Sequence, residues 1–327
     1  MNEKTAEATF RFDFKGLFKK FFTEYLIIVG ILVLGIFTAV SEPVFLSYDN
    51  FVSFVRQFCP LAFVALGMTL IIIGGYIDLS VAGMFSFMGL VSCMLMNHLG
   101  GMAIIPIIII GAICGLVNAL VLIVCGARDD SDALFITFGM QMVFAALALL
   151  INGGNCVFLE DKSGFNGAIG NGSLLGIPTM LFLFLAMAFV LHFFMTKTPL
   201  GRSIHIAGAN PVAARLCGVS INKIILLAFV ITGALTAIGS WMMACRTGSA
   251  LPVCGKNYET YAILSVTVGG TSLAGGKGSV LRTIVGVAVY TLMANSMNIL
   301  GVSSNMQFVF KGIIMITAIW IDSRRPD

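Results

Sequence analysis

An all-α, polytopic membrane bundle is the fold class this sequence predicts, on three observations. Hydrophobic residues make up 58% of the 327-residue chain and charged residues only 10%, where a soluble domain carries about 25% charge. The apolar residues fall in runs of membrane-spanning length, about 20 residues each, divided by short polar joints. Lys and Arg concentrate in alternate joints, which is how a polytopic chain encodes its orientation. A mean hydropathy of +1.01 excludes a soluble enzyme or nucleic-acid binder, so the net charge of +4 bears on topology. Gly is abundant at 36 and Pro scarce at 8, as suits helices that meet backbone to backbone in lipid.

About ten runs qualify, near 22–41, 52–73, 77–97, 103–124, 133–151, 178–196, 222–244, 258–275, 279–299 and 305–321. The third starts at a polar bracket containing Gly-Gly, so a broken or re-entrant start is open. Only GGKGS divides the eighth from the ninth, which leaves that boundary soft. With the N-terminus inside, Lys4, Arg11, Lys15, Lys19, Lys20, Arg128, Lys197, Arg202, Arg215, Lys223, Lys277, Arg282, Arg324 and Arg325 lie on inner segments. Arg56, Lys162, Arg246, Lys256 and Lys311 lie outside or near outer helix ends. Fourteen against five puts both termini in the cytoplasm, and an even number of crossings agrees. The organisation expected is a cytoplasmic segment 1–21, one transmembrane domain 22–321 and a cytoplasmic tail 322–327. No cleavable leader is expected, because the first run has spanning length and no clear small-residue cleavage site. The outer joint 152–176, rich in Gly and Asn, reads as turns or a short surface helix.

Nothing points to catalysis, a metal or a cofactor. The eight Cys are scattered without a CxxC pair and read as small packing residues. Cys156 and Cys254 both fall in outer joints, so a disulfide between them is open. His98, His192 and His205 are far apart, and no nucleophile sits beside a base. The stretch GGTSLAGGKGS is no phosphate loop, since that needs Ser or Thr after GK and Gly278 follows Lys277. Its Gly269, Gly270, Gly275, Gly276 and Gly278 instead permit a tight bend and close helix approach at the inner end.

Residues 198–220, TPLGRSIHIAGANPVAARLCGVS, look like a soluble surface set among membrane helices. Asn210 suits an N-cap and Pro211 the first helical position. Val212 to Cys217 continue the helix, and Gly218 stands where a C-terminal Gly belongs. Such a helix is about 10 Å long, too short to span anything. Arg202 and Arg215 can fork onto carboxylates of a partner. Composition alone favours a solvated positive-inside loop, but a passive joint has no need of caps at both ends.

Among the other polar residues, Asp78 stands out. A carboxylate at a helix centre costs about 2.5–3.5 kcal/mol, so Asp78 belongs at an end, in a cavity or in a pair. Capping a helix that starts at Leu79, with Ser80 in its first turn, is the favoured reading; solute passage is the sharper one. Thr137 and Gln141 are four apart, Thr232, Thr236 and Ser240 continue a face, and Asn295 and Asn298 are three apart. These, with Asn118, either bond helix to helix or line a polar path. Lys311 either snorkels to the interface or pairs with a carboxylate such as Glu259.

The 198–220 stretch resembles the cytoplasmic coupling segment of ABC sugar-importer permeases of the ribose-transporter type. The resemblance runs through Thr198, Gly201, Arg202, Ala207, Gly208, Asn210, Ala213, Ala214 and Gly218. Three further stretches are similar to that family in order and spacing. They are GGYIDLSVAGM through Gly75, Asp78, Leu79, Ser80 and Val81; VGGTSLAGGKGS through Gly269 to Leu273, Gly275, Gly276, Gly278 and Ser279; and the tail through Gly301, Gln307, Lys311 and Gly312. The chain departs in having Ala82 where the family has Gly. It also has Asp132 and Ala133 ahead of Phe135, Ile136, Thr137 and Gly139, and extra acidic residues in GARDDSD. The resemblance implies a multi-pass protein of the plasma (inner) membrane that is not itself an enzyme. It implies a cytoplasmic ATPase partner, often of two fused cassettes, an extracytoplasmic sugar-binding protein, and a second permease copy or related permease. A stand-alone secondary transporter is the rival reading, and Asp78 is its main candidate for ion coupling.

Overall fold

The computed structural model describes residues 14–126, 130–161 and 163–323; Lys4, Arg11, Arg128, Lys162, Arg324 and Arg325 of the charge count lie outside them. The helices are α1 (Phe14–Ser41), α2 (Tyr48–Ile73), α3 (Val81–Leu99), α4 (Ile104–Val124), α5 (Asp130–Leu150), α6 (Gly164–Gly170), α7 (Thr179–Lys197), α8 (Pro199–Ala209), α9 (Pro211–Leu216), α10 (Ile221–Thr247), α11 (Tyr258–Val268), α12 (Val280–Ile299) and α13 (Ser304–Asp322). Among the described residues, seven stretches are long and apolar enough to cross a membrane. One of them, Val81–Val124, contains two helices, α3 and α4, divided by a 3₁₀ turn at Gly100–Ala103.

Packing separates the helices into a centre and a rim. α2 and α10 are the most buried, with α10 laid against α2, α3 and α4. α5, α7 and α13 leave most of their apolar surface uncovered, as at Phe135, Phe189 and Ile316, the pattern of helices that face lipid. Polar side chains join helices within the centre. Thr232 of α10 donates to the Gly67 carbonyl of α2 at 3.0 Å, and Thr69 of α2 meets Thr283 of α12 at 2.6 Å. Bonds of this kind contribute about 0.6 kcal/mol each in a membrane bundle.

Several elements differ from the sequence expectation. α1 begins at Phe14, inside the segment expected to precede the first crossing. α3 begins at Val81 rather than Leu79. The run expected as a helix over 258–275 stops at Val268, because Gly270, Gly275 and Gly276 take φ of +90°, +84° and +71°. Eleven residues give about 16 Å of helix, half a bilayer. The joint 152–176 forms α6 and a short hairpin of β2 (Ser173–Leu174) with β3 (Ile177–Pro178), and its β1 (Val157–Phe158) pairs antiparallel with β4 (Ser249–Ala250), which follows α10. Cys156 and Cys254 are both free thiols.

Two interruptions matter most. Leading into α3, Leu79 and Ser80 bond to Thr137 of α5 and Asn118 of α4. Those partners lie about 9–10 Å inside the ends of their helices at 1.5 Å per residue, so this segment enters the bundle before α3 starts. Leading into α11, the chain also turns inward: the Gly255 N–H donates to Ser86 Oγ at 2.9 Å, and Tyr258 stacks on Phe85 at 4.1 Å. Cys254 therefore sits against α3 beside Gly89, deeper than an outer joint. Irregular backbone at membrane depth is tolerated only where protein or a polar cavity covers it.

Cys125 and Cys217 are exposed, at the ends of α4 and α9. With the orientation read from the charges, a membrane-impermeant maleimide leaves both unmodified in intact cells expressing this chain alone. It modifies both in inside-out vesicles. Labelling of Cys217 in intact cells reverses the orientation.

Candidate functional site

The segment before α3 is held by a buried polar node. Asp78 and Ser80 are fully buried, and Asp78 Oδ1 accepts from the Ser80 N–H at 2.8 Å. Ser80 Oγ accepts from Asn118 Nδ2 at 2.6 Å. Thr137 Oγ1 accepts the Leu79 N–H at 3.1 Å and donates to the Ala133 carbonyl at 2.8 Å. Four of the polar residues singled out in the sequence thus meet in one place. Asp78 Oδ2 and Asn118 Oδ1 are buried without a partner among the described residues. Gln141 does not join them. A Cβ on Gly83 would lie 2.3 Å from its carbonyl, so its backbone abuts α3 while its side chain stays partly exposed.

At the opposite end of the bundle a cavity of about 450 Å³ opens between α2, α10, α11, α12 and α13. Asn298 lines it and accepts from Gln307 Nε2 at 2.8 Å. Asn295 lies apart, in a reciprocal amide pair with Asn50 at 2.8 and 3.1 Å. Three tyrosines form one wall: Tyr258 and Tyr261 of α11 have centroids 6.2 Å apart, and Tyr261 lies 5.2 Å from Tyr290 of α12. Lys311 Nζ sits 4.5 Å above the Tyr261 ring, held by cation–π attraction. It makes no ion pair with Glu259, which accepts instead from Thr260. Gln57, Arg246 and Thr291 complete the polar lining. Sequence reading missed the tyrosines, Arg246 and Gln57. A usable signal existed: three of the chain's six tyrosines lie within 258–290, two of them three residues apart.

The 198–220 stretch holds two capped helices, one more than the sequence predicted. Thr198 Oγ1 accepts the Gly201 N–H at 3.1 Å ahead of Pro199, starting α8. Asn210 Oδ1 accepts the Ala213 N–H at 2.9 Å ahead of Pro211, starting α9. Gly218, at φ +81°, ends α9, and the Val219 N–H closes the turn on the Ala214 carbonyl at 2.9 Å. Ala214 is buried, whereas Val212 is 66% and Leu216 85% exposed. Arg202 and Arg215 are exposed as well. α9 therefore presents an apolar pair and an arginine outward.

Glycines lock this segment to the bundle. A Cβ on Gly208 would lie 1.8 Å from the Ile73 carbonyl at the end of α2 and 2.9 Å from the Gly276 nitrogen. Gly276 itself donates to Ile73 O at 2.9 Å, and His205 Nδ1 lies 3.0 Å from the Gly276 carbonyl. A Cβ on Gly275 would come 2.8 Å from the Gly208 carbonyl, one on Gly269 2.3 Å from the Arg282 carbonyl, and one on Gly278 2.6 Å from Thr271 Cγ2. With Gly270 turning the chain, the end of α8, the end of α2 and the α11–α12 bend form one backbone-to-backbone contact. A second cavity of about 470 Å³, bounded by Tyr76, Ser131, Gly208 and Pro211, opens beside it.

The family model described as branched-chain amino acid transport system / permease component matches residues 50–319. The chain is 29% identical over 308 residues to the ribose import permease protein of Haemophilus influenzae, covering 93% of this chain and 94% of that one. It is 32% identical over 309 residues to the ribose import permease protein of Escherichia coli K12, covering 91% and 93%. The D-allose transport system permease protein of the same strain is 30% identical over 318 residues, covering 95% and 94%. No solved structure matches. Matched from α2 to α13, and along nearly its whole length to transport permeases, this chain belongs to the branched-chain amino acid transport system / permease component family.

Proposed function

We propose that this chain is the membrane-embedded permease subunit of an ATP-driven importer for a monosaccharide or related small sugar, in the plasma (inner) membrane. It crosses about ten times with both termini cytoplasmic, and α11 with its inward-turning approach serves as one crossing. ATP hydrolysis comes from a separate cytoplasmic ABC subunit, and an extracytoplasmic sugar-binding protein delivers solute. A second copy or a related permease completes the path. The observation that carries this reading is α9, a doubly capped helix whose Val212, Leu216 and Arg215 face outward. α9 fits a groove on the ATPase, and the glycine contact at Gly208 passes its movement to α2 and to the α11–α12 bend.

Sugar rather than amino acid follows from the outer cavity. Tyrosine faces suit the apolar faces of a sugar ring, and the amides of Asn298 and Gln307 suit hydroxyls. A zwitterionic amino acid needs a counter-charge for its ammonium, and no carboxylate lines the cavity. Reconstitution tests the reading: sugar uptake that requires ATP, a co-expressed cassette subunit and a binding protein is expected. The buried, half-satisfied Asp78 favours the alternative, a stand-alone secondary transporter of a small polar solute. Gradient-driven uptake by this chain alone establishes that alternative.

A further inference from the structure

The importer scheme leaves Asp78 without a part. It is the one aspartate buried among the described residues, on irregular backbone that enters the bundle ahead of α3. Its Oδ1 accepts from the Ser80 N–H at 2.8 Å. Its Oδ2 is buried without a partner among the described residues, and so is Asn118 Oδ1. The side chains that reach this segment from α4 and α5 are Asn118 and Thr137, neither of which titrates. No titratable or charged side chain of α3, α4, α5 or α10 acts on the carboxyl among the described residues; only Ser80 does.

Two deficits meet here. The first is charge: a buried carboxylate with no cation beside it neutralises rather than stay ionised. The second is donors. Thr137 commits its hydroxyl hydrogen to the Ala133 carbonyl at 2.8 Å. The Ser80 hydroxyl has a single hydrogen, one donor for two orphan oxygens. A hard cation fits poorly, since it takes about six or more oxygen ligands and the node leaves two side-chain oxygens free. Turning the Asn118 amide over would supply a donor, yet it leaves a full negative charge in place. One proton removes both deficits. With a hydrogen on Oδ2 the carboxyl no longer needs a donor and supplies one, as buried neutral acids do elsewhere.

We propose that Asp78 is held as a neutral carboxylic acid, its proton taken up from solvent as the bundle assembles and placed on Oδ2, where it closes the node toward Asn118. Asp78 is then a positioning residue. It fixes the irregular approach to α3 against α4 and α5 without setting a charge at membrane depth. A proton that stays in place through the transport cycle couples no gradient, so the stand-alone transporter loses its main candidate group.

The test is infrared spectroscopy of the full-length permease in lipid nanodiscs at neutral pH, with the aspartate side-chain carboxyls carrying a carbon-13 label. A label-sensitive C=O band of a protonated carboxyl is expected, and Asp78→Asn should remove it. An ordinary aspartate is ionised at that pH and gives no such band. Asp78→Asn keeps the shape without charge and offers an N–H donor. In the complex reconstituted with cassette subunit and binding protein, its uptake should stay within about twofold of wild type. Asp78→Ala orphans the Ser80 N–H and should lower the unfolding temperature. If Asp78→Asn does not fold, the labelled wild-type band decides alone, because Asp78 is the buried aspartate. Absence of that band overturns the proposal. So does a folded Asp78→Asn that fails to transport, which shows that the negative charge is required. Stabilisation by sodium over choline that Asp78→Asn abolishes also overturns it and puts a cation in the node. ATP-dependent uptake decides the importer reading separately.

Discussion

Gly208→Val abolishes transport while the chain still inserts into the membrane. Even the first carbon of a side chain at 208 would stand 1.8 Å from the Ile73 carbonyl and 2.9 Å from the Gly276 nitrogen. Both neighbours are backbone, so neither rotates aside. Relief requires α8 to move away from α2 by about 2 Å, since non-bonded atoms settle at about 3.5–4.0 Å. That shift also breaks the contact of His205, on α8, with the Gly276 carbonyl. Overpacking in a close contact typically costs about 1–3 kcal/mol, which a bundle of this size survives. Transmission from α9 to α2 does not survive it. Solute-stimulated ATP hydrolysis should fall to its unstimulated level in the reconstituted complex, with the amount of permease in the membrane unchanged. Gly218→Ala is the contrast. Its φ of +81° penalises a side chain, but nothing lies within 4 Å of the added carbon. About 1–2 kcal/mol of backbone strain is expected at one exposed turn, with most transport retained. Normal transport by Gly208→Val shows that the glycine contact transmits nothing.

Helix positions were legible in the sequence because lipid imposes a length and an apolar composition on each crossing. α2, α4, α7, α10, α12 and α13 lie within a few residues of their expected ranges. Caps were legible for the same local reason: Asn210 ahead of Pro211 specifies a helix start whatever surrounds it. The same signature, Thr198 ahead of Pro199, marked α8 and was not read as one. Asp78, Ser80, Asn118 and Thr137 could be recognised as polar residues needing partners, but not as partners of one another, since they lie 38 and 58–60 residues apart in the chain. The tyrosine-lined cavity was hidden more deeply. Its tyrosines are ordinary at helix ends by composition, and only the inward path before α11 brings Tyr258 onto Phe85 and sets the aromatic wall. That path depends on Gly255, where a Cβ would lie 2.3 Å from the Ala82 carbonyl. A contact 173 residues away in the chain leaves no periodicity to read.

Ala214→Pro uncouples the ATPase as completely as removing α9 would. The Ala214 N–H donates the first intrahelical bond, to the Asn210 carbonyl at 2.9 Å. Proline removes that donor and drives its ring against the same carbonyl, at a cost of about 3 kcal/mol or more. A six-residue helix has no further turns to hold it, and Ala214 is its one buried residue. α9 should therefore unwind, taking Val212, Leu216 and Arg215 out of register, while the membrane helices keep their packing. Transport and stimulated ATP hydrolysis should both be lost, and affinity capture of the cassette subunit by detergent-solubilised permease should fall. Pro211→Ala separates this from mere sensitivity of the segment. Position 211 has no N–H to lose, so the change forgoes only a preset backbone angle, under about 1 kcal/mol, and coupling persists. Arg215→Glu attacks the docking face alone, because Arg215 is exposed and its side chain bonds to nothing among the described residues. It should leave α9 folded and still weaken capture. Wild-type transport by both Ala214→Pro and Arg215→Glu removes the docking role from α9. Energy would then have to reach the path elsewhere, and the buried carboxylate of Asp78 becomes the next residue to replace.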